Sequence, residues 1–114
     1  MPNGVPTFQV IAMARERADI INRFTTYHLG VGARRVVIYH DGPLDRDLRH
    51  GDCVEHIAVD DDFWASMGLT RPEDNNDRQR AIYDRAVAAC PFDWTLILDI
   101  DEFIVAPTPL ADSL

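Results

Sequence analysis

Three acidic side chains, Asp99, Asp101 and Glu102, close the stretch WTLILDIDEF, directly after the apolar run Trp94–Leu98. Carboxylates one residue apart at a strand terminus suit a hard divalent cation. Mg²⁺ and Mn²⁺ prefer oxygen ligands and commonly bind through one or two carboxylates together with substrate phosphates. Such an ion neutralises a diphosphate and stabilises the charge that develops on it as it leaves. The spacing alone decides nothing, because the chain holds 15 Asp in 114 residues and D-x-D occurs three times. The pairs are Asp45/Asp47, Asp60/Asp62 and Asp99/Asp101, and only the last follows an uninterrupted apolar run. The competing interpretation is a solvated acidic strand end with capping duties.

Composition narrows the remaining chemistry. All 11 basic residues are arginine, which excludes a P-loop lysine, a Schiff-base lysine and the kinase strand lysine within this chain. Phosphate must then be handled by a metal, by arginine or by helix N-termini. The two serines, Ser66 and Ser113, lie outside any G-x-S-x-G context, so acyl transfer lacks its nucleophile. Cys53 and Cys90 fit neither a C-x-x-C pair nor a zinc framework, and buried or half-buried thiols in a reducing compartment are expected. His28, His40, His50 and His56 show no helical H-x-x-x-H pairing and are expected to be scattered over surface and outer core. A net charge of −8 argues against nucleic acid as partner. An aspartyl phosphohydrolase also uses D-x-D at a strand end. In the familiar ones it follows the first strand, which here ends in Ala14-Arg15-Glu16.

These residues need elements to position them. Hydrophobic content of 46% and charged content of 26% are ordinary for a globular protein, and the length suits one domain over residues 1–114. No apolar run approaches the roughly 20 residues that span a bilayer, and MPNGVPTFQV lacks a signal peptide's basic and apolar regions, so cytoplasmic residence is expected. After an extended lead-in at 1–6, TFQVIAMA predicts a buried strand. A helix follows, with Asp19 as N-cap, an apolar face of Ile20, Ile21, Phe24, Tyr27 and His28, and Gly30 as C′ glycine. RVVIYH (35–40) predicts a second strand closed by Asp41-Gly42-Pro43, and VEHIAV (54–59) a third. DDDFW (60–64) reads as irregular. Thr70-Arg71-Pro72-Glu73 fits a capping box, so a helix is expected from there, firm over 76–89. Trp94–Leu98 is the fourth strand, and Ala106–Pro109 ends regular structure.

Apolar strands alternating with amphipathic helices predict an α/β, Rossmann-like, mainly parallel sheet with helices on both faces. Ligands of such sheets bind beyond the carboxyl ends of the strands. That puts Arg15-Glu16-Arg17, His40-Asp41-Gly42 and Asp99-Ile100-Asp101-Glu102 on one rim. Arg78 and Arg80 are candidates to reach a phosphate, with a solvated helix face as the plainer expectation.

Several blocks carry a resemblance to a known family. A strand ends in Arg15-Glu16-Arg17, a helix ends in Tyr27-His28-Leu29-Gly30-Val31-Gly32, and a strand ends in Tyr39-His40-Asp41. A helix led by Gln79 then precedes Trp94 and Asp99-Ile100-Asp101-Glu102-Phe103. From about Phe8 to Val105 the chain resembles the N-terminal, donor-binding half of GT-A-fold glycosyltransferases of the family 2-like and family 92-like groups. The YH-x-x-GVG and DIDEF blocks are the specific ones. The resemblance implies transfer of a sugar from a UDP- or GDP-linked donor to a glycan, lipid or protein acceptor, with Mn²⁺ or Mg²⁺ as cofactor. It implies that Asp101 is the direct metal ligand and Asp99 a ribose or second metal contact. Asp41 would contact base or ribose, and Glu16 would lie on the loop lining the base pocket. Gly42-Pro43-Leu44-Asp45 departs from the family's small polar turn. A complete enzyme of this kind continues well past D-x-D to supply the acceptor site and catalytic base. The chain is therefore expected to be an incomplete domain with an exposed apolar surface and a tendency to self-associate. The alternatives are a non-catalytic α/β binding or interaction module and, less favoured, a metal-dependent phosphohydrolase.

Overall fold

Four short apolar runs form strands in a computed structural model that describes residues 6–105. They are β1 (Phe8–Ala14), β2 (Arg35–His40), β3 (Val54–Ala58) and β4 (Trp94–Ile97). All pairings are parallel and the order across the sheet is β3-β2-β1-β4. The central strands β1 and β2 are buried almost throughout, as strands covered on both faces must be. Residues 1–5 of the expected lead-in and the expected break at 106–109 lie outside the described residues.

Side-chain alternation divides the core into two layers. On one face α1 (Ala18–Gly30) sets Ala18, Ile21 and Phe24 on Phe8, Val10, Val36 and Ile38. On the other, α2 (Asp61–Ser66) and α3 (Asn75–Ala88) set Phe63, Trp64 and Ile82 on Ile11, Val37 and Tyr39. Each large side chain buried this way contributes roughly 1.5–3 kcal/mol. The layered α/β architecture expected from the alternation of strands and helices is the one observed.

Element boundaries differ in instructive places. Asp19 is not the N-cap of α1. Arg17 takes that position with extended backbone and no side-chain cap, while Asp19 sits in the first turn and pairs with Arg17 at 3.2 Å. Gly30 is the last residue of the helix, and the positive φ of 111° falls on Gly32 instead. DDDFW is helical rather than irregular: Asp60 caps α2 by accepting from Phe63 N at 2.9 Å. The Thr70–Glu73 segment lies outside α3, whose cap is Asp74, accepting from Asn76 N at 2.7 Å. Cys53 is exposed rather than buried, whereas Cys90 is half-buried. Among the described residues no helix is long and apolar enough to cross a membrane.

The loop after β2 is pinned to its surroundings. Asn22 of α1 donates to Asp47 O at 3.0 Å and accepts from Arg49 N at 2.8 Å. Asp45 closes the same loop by accepting from Asp47 N at 2.8 Å. The loop that carries Asp41 therefore has a fixed far end.

Candidate functional site

Because every strand runs the same way, the carboxyl ends of β3, β2, β1 and β4 share one rim. The strand order reverses between β1 and β4. Open α/β sheets form their ligand crevice at such a reversal. Glu16 follows β1 and Asp99 follows β4, so they flank that point.

A cleft of about 450 Å³ opens between the ends of β1 and β2. Arg15, Glu16 and Arg17 form one wall, and His40, Asp41 and Asp45 the other. Glu16 and Asp41, both expected at a donor site, are thus brought together. Asp99 and Asp101 are not part of this cleft; they stand one strand further on, past β1. Gly42 continues the wall at φ 149°, a conformation that favours glycine and turns the chain sharply away from Asp41.

Asp41 is held from the side. Arg71, in the connection between α2 and α3, donates from Nη2 to Oδ1 at 3.3 Å and to Oδ2 at 3.4 Å. Beyond this pair a second cleft, of about 420 Å³, runs toward Asp60 and Asp61. Asp41 stands between the two clefts. Arg78, by contrast, is committed to its own loop, donating to Pro72 O and Glu73 O at 2.8 Å.

His40 brings a network that spacing along the chain conceals. Its Nε2 lies 2.8 Å from His56 Nδ1, and His56 Nε2 lies 2.9 Å from Arg49 O. A carbonyl only accepts, so His56 carries its proton on Nε2 and accepts at Nδ1 from His40 Nε2. His50 approaches His56 at 5.1 Å between ring centroids. Three of the four histidines are therefore gathered rather than scattered. Burial, reinforced by His56 and His50, lowers the pKa of His40 to about 4, leaving it neutral at pH 7.

The three D-x-D pairs now separate. Asp45 closes a turn and Asp60 caps a helix, both by accepting backbone N–H groups. The carboxylates of Asp99 and Asp101 accept no hydrogen bond among the described residues, and both side chains are exposed. Their turn is well held. Glu102 Oε1 accepts from Asp99 N at 2.7 Å while Glu102 N donates to Asp99 O at 2.9 Å. Upstream, Leu98 N bonds Ile11 O of β1 at 3.0 Å. Downstream, Phe103 packs against Tyr27 at 5.0 Å and stacks on His28 at 5.8 Å, and Tyr27 donates to Ile104 O. The two most distinctive sequence blocks, 27–32 and 99–103, are thus in contact. Tyr83 of α3 also borders the turn: burial chiefly, and then Asp99, raise its pKa.

Comparison with protein-family models, with curated proteins and with solved structures finds no match for this chain. Function must be argued from the rim itself.

The residues present can be weighed against a divalent cation. Among the described residues no group of three His, Cys, Asp or Glu is placed to hold a metal ion. What the turn offers is a pair of unengaged oxygen-donor side chains, which suits an ion completed by water and phosphate rather than one caged by protein. The adjoining cleft sets two guanidinium groups against three carboxylates, with His40 neutral. It has no surplus positive charge for a diphosphate, and a cation on Asp99 and Asp101 would supply it.

Proposed function

We propose that this chain is the donor-binding part of a GT-A-like glycosyltransferase, holding a nucleotide-sugar diphosphate through Mn²⁺ or Mg²⁺. The observation that carries this is the strand order. It sets the unengaged Asp99/Asp101 pair and Glu16 on either side of the sheet's switch point, with Asp41 in the cleft next to it. In this reading Asp101 ligates the metal and Asp99 reaches the ribose or shares the metal. Asp41 and Glu16 contact the nucleoside. When bound, the cation neutralises the diphosphate and stabilises it as leaving group. The chain's own part is to keep the two carboxylates in place, through the Asp99–Glu102 turn and the docking of Phe103 on α1. The reducing cytoplasm is the setting that a chain with two unpaired cysteines fits.

The test is calorimetric titration of UDP and GDP, with and without Mn²⁺, on the wild type and Asp101→Asn. Metal-dependent binding is expected, weakened roughly thirtyfold by the substitution, the loss typical of removing one partner of a close charge pair. Mn²⁺ alone should bind far more weakly than Mn²⁺ with nucleotide, because protein supplies only two ligands. Absence of nucleotide binding in both proteins would sink the proposal. One observation favours a non-catalytic binding module in that event: Asp41 is already paired with Arg71.

A further inference from the structure

A crevice lies away from the rim, on the face of the sheet that carries α3, and shares no lining residue with the two rim clefts. Its floor is laid by register. Gln9 and Ile11 of β1 stand beside Arg35 and Val37 of β2, and Val37 stands beside Glu55 of β3. Its roof is thin because α3 and the residue that caps it contribute only Ala86 and Ala89 above the floor, with Arg85 at the side. The space is about 210 Å³. That is several times the roughly 30 Å³ of a water molecule, and below the roughly 300 Å³ at which organic cofactor pockets begin.

Its charges are the informative part. Arg35 donates from Nε at 3.3 Å and from Nη2 at 2.8 Å to the same acceptor, Gln9 Oε1. Gln9 is 1% exposed and is itself fixed by donating to Thr95 Oγ1 at 3.1 Å. An amide orients a guanidinium but does not neutralise it. The charge of Arg35 stays uncompensated while the group is held rigid, its Cζ 5.7 Å from the Phe92 ring centre. Arg85 is exposed, with its Cζ 5.6 Å from the Phe63 ring centre. The ion pairs among the described residues are Arg17–Asp19 and Arg71–Asp41, so neither Arg35 nor Arg85 is in one. Glu55 is the single carboxylate at the crevice, against two guanidinium groups. Burial and Glu55 raise the pKa of Tyr39, opposed by Arg85 and Arg35, so its hydroxyl remains a donor at neutral pH.

We propose that this crevice binds a small organic monoanion, a carboxylate with a short apolar body. The carboxylate lies between Arg35 and Arg85, and the body lies on Ile57 and Ala89, the apolar lining residues open to solvent. One net positive charge favours a monoanion over phosphate dianion, because Glu55 repels the second charge. The accessible apolar surface of Ile57 and Ala89 favours a ligand with a few carbons over a bare inorganic ion. The site stands independently of the rim's proposed function, because it rests on different residues.

The experiment is an amide-resolved NMR titration of the full chain with butyrate as probe, run against inorganic phosphate and chloride at matched ionic strength. Saturable shifts centred on Ile57, Arg85 and Ala89 are expected with butyrate alone. Arg85→Gln, at an exposed position that leaves the core untouched, should weaken binding about tenfold, with the melting temperature unchanged. Glu55→Gln should tighten it severalfold. Equal responses to phosphate or chloride, or an Arg85→Gln protein that binds butyrate as the wild type does, would overturn the site.

Discussion

At the scale of single residues, His40 shows what packing does to a side chain that the sequence leaves ambiguous. The imidazole is 5% exposed and hydrogen-bonded to a second imidazole, and its pKa falls from 6.5 to about 4. In the unfolded chain it titrates normally. Between those two values the unfolded state therefore binds more protons than the folded one, and stability drops as pH falls. The loss begins near pH 6.5, where the unfolded group starts to protonate, and is nearly complete below pH 4. For this residue it amounts to about 3 kcal/mol between pH 7 and pH 4. Urea unfolding at pH 7 and pH 4 measures it, and His40→Asn should flatten the difference by that amount. Burial also lowers His28 and His56, so the wild-type slope should exceed that of His40 alone. None of this was visible along the chain, because His40 and His56 meet only through the β2–β3 register. Arg71 and Asp41 meet across 30 positions because the connection between α2 and α3 comes back over the rim. The carboxylates Glu16, Asp41, Asp99 and Asp101 were legible, since strand ends in a parallel sheet fall on a common rim.

At the scale of elements, period and punctuation located four strands and two helices from the chain alone. They failed where an element is shorter than its own period can reveal. α2 has six residues, too few for a 3.6-residue pattern, and its signal was instead the cap at Asp60 ahead of Phe63 and Trp64. The start of α3 was misplaced because Thr70–Glu73 imitates a capping box while Asp74, four residues on, does the capping. Another consequence belongs to the turn after β4. Phe103 ties that turn to α1 without lying in the rim cleft. Phe103→Ala should cost about 1–2 kcal/mol of stability, the partial burial of one aromatic ring. It should also weaken metal-dependent nucleotide binding severalfold, because the carboxylates lose their fixed placement. Thermal melts and calorimetry on the same protein read both effects. A loss of stability with unchanged affinity would separate the turn's anchoring from its role at the rim.

At the scale of the whole molecule, β4 is the outer strand of the sheet among the described residues. It carries exposed apolar side chains on both faces, Trp94 at 49% and Ile97 at 44%. An unpaired strand edge with such side chains is a template for association. The net charge of −8 opposes contact between copies. Added salt screens that repulsion, so sedimentation should detect larger species at high ionic strength than at low. Ile97→Lys should keep the chain monomeric under both conditions. Association that ignores this substitution would move the contact to another surface.

The pairing of β4 with β1 has a kinetic side. Thr7 and Asp93, which bond at the head of that ladder at 2.8 Å, are 86 positions apart, so the outer strand joins across most of the chain. Closing so long a loop is slow compared with building α1 between its neighbouring strands β1 and β2. β1, apolar except for Gln9, is then expected to have one side open while the rest condenses. Leu96→Ala should accordingly speed unfolding and leave the refolding rate almost unchanged in stopped-flow chevrons. The acidic turn at the rim would then be the last part of the molecule to take shape, and the first to come apart.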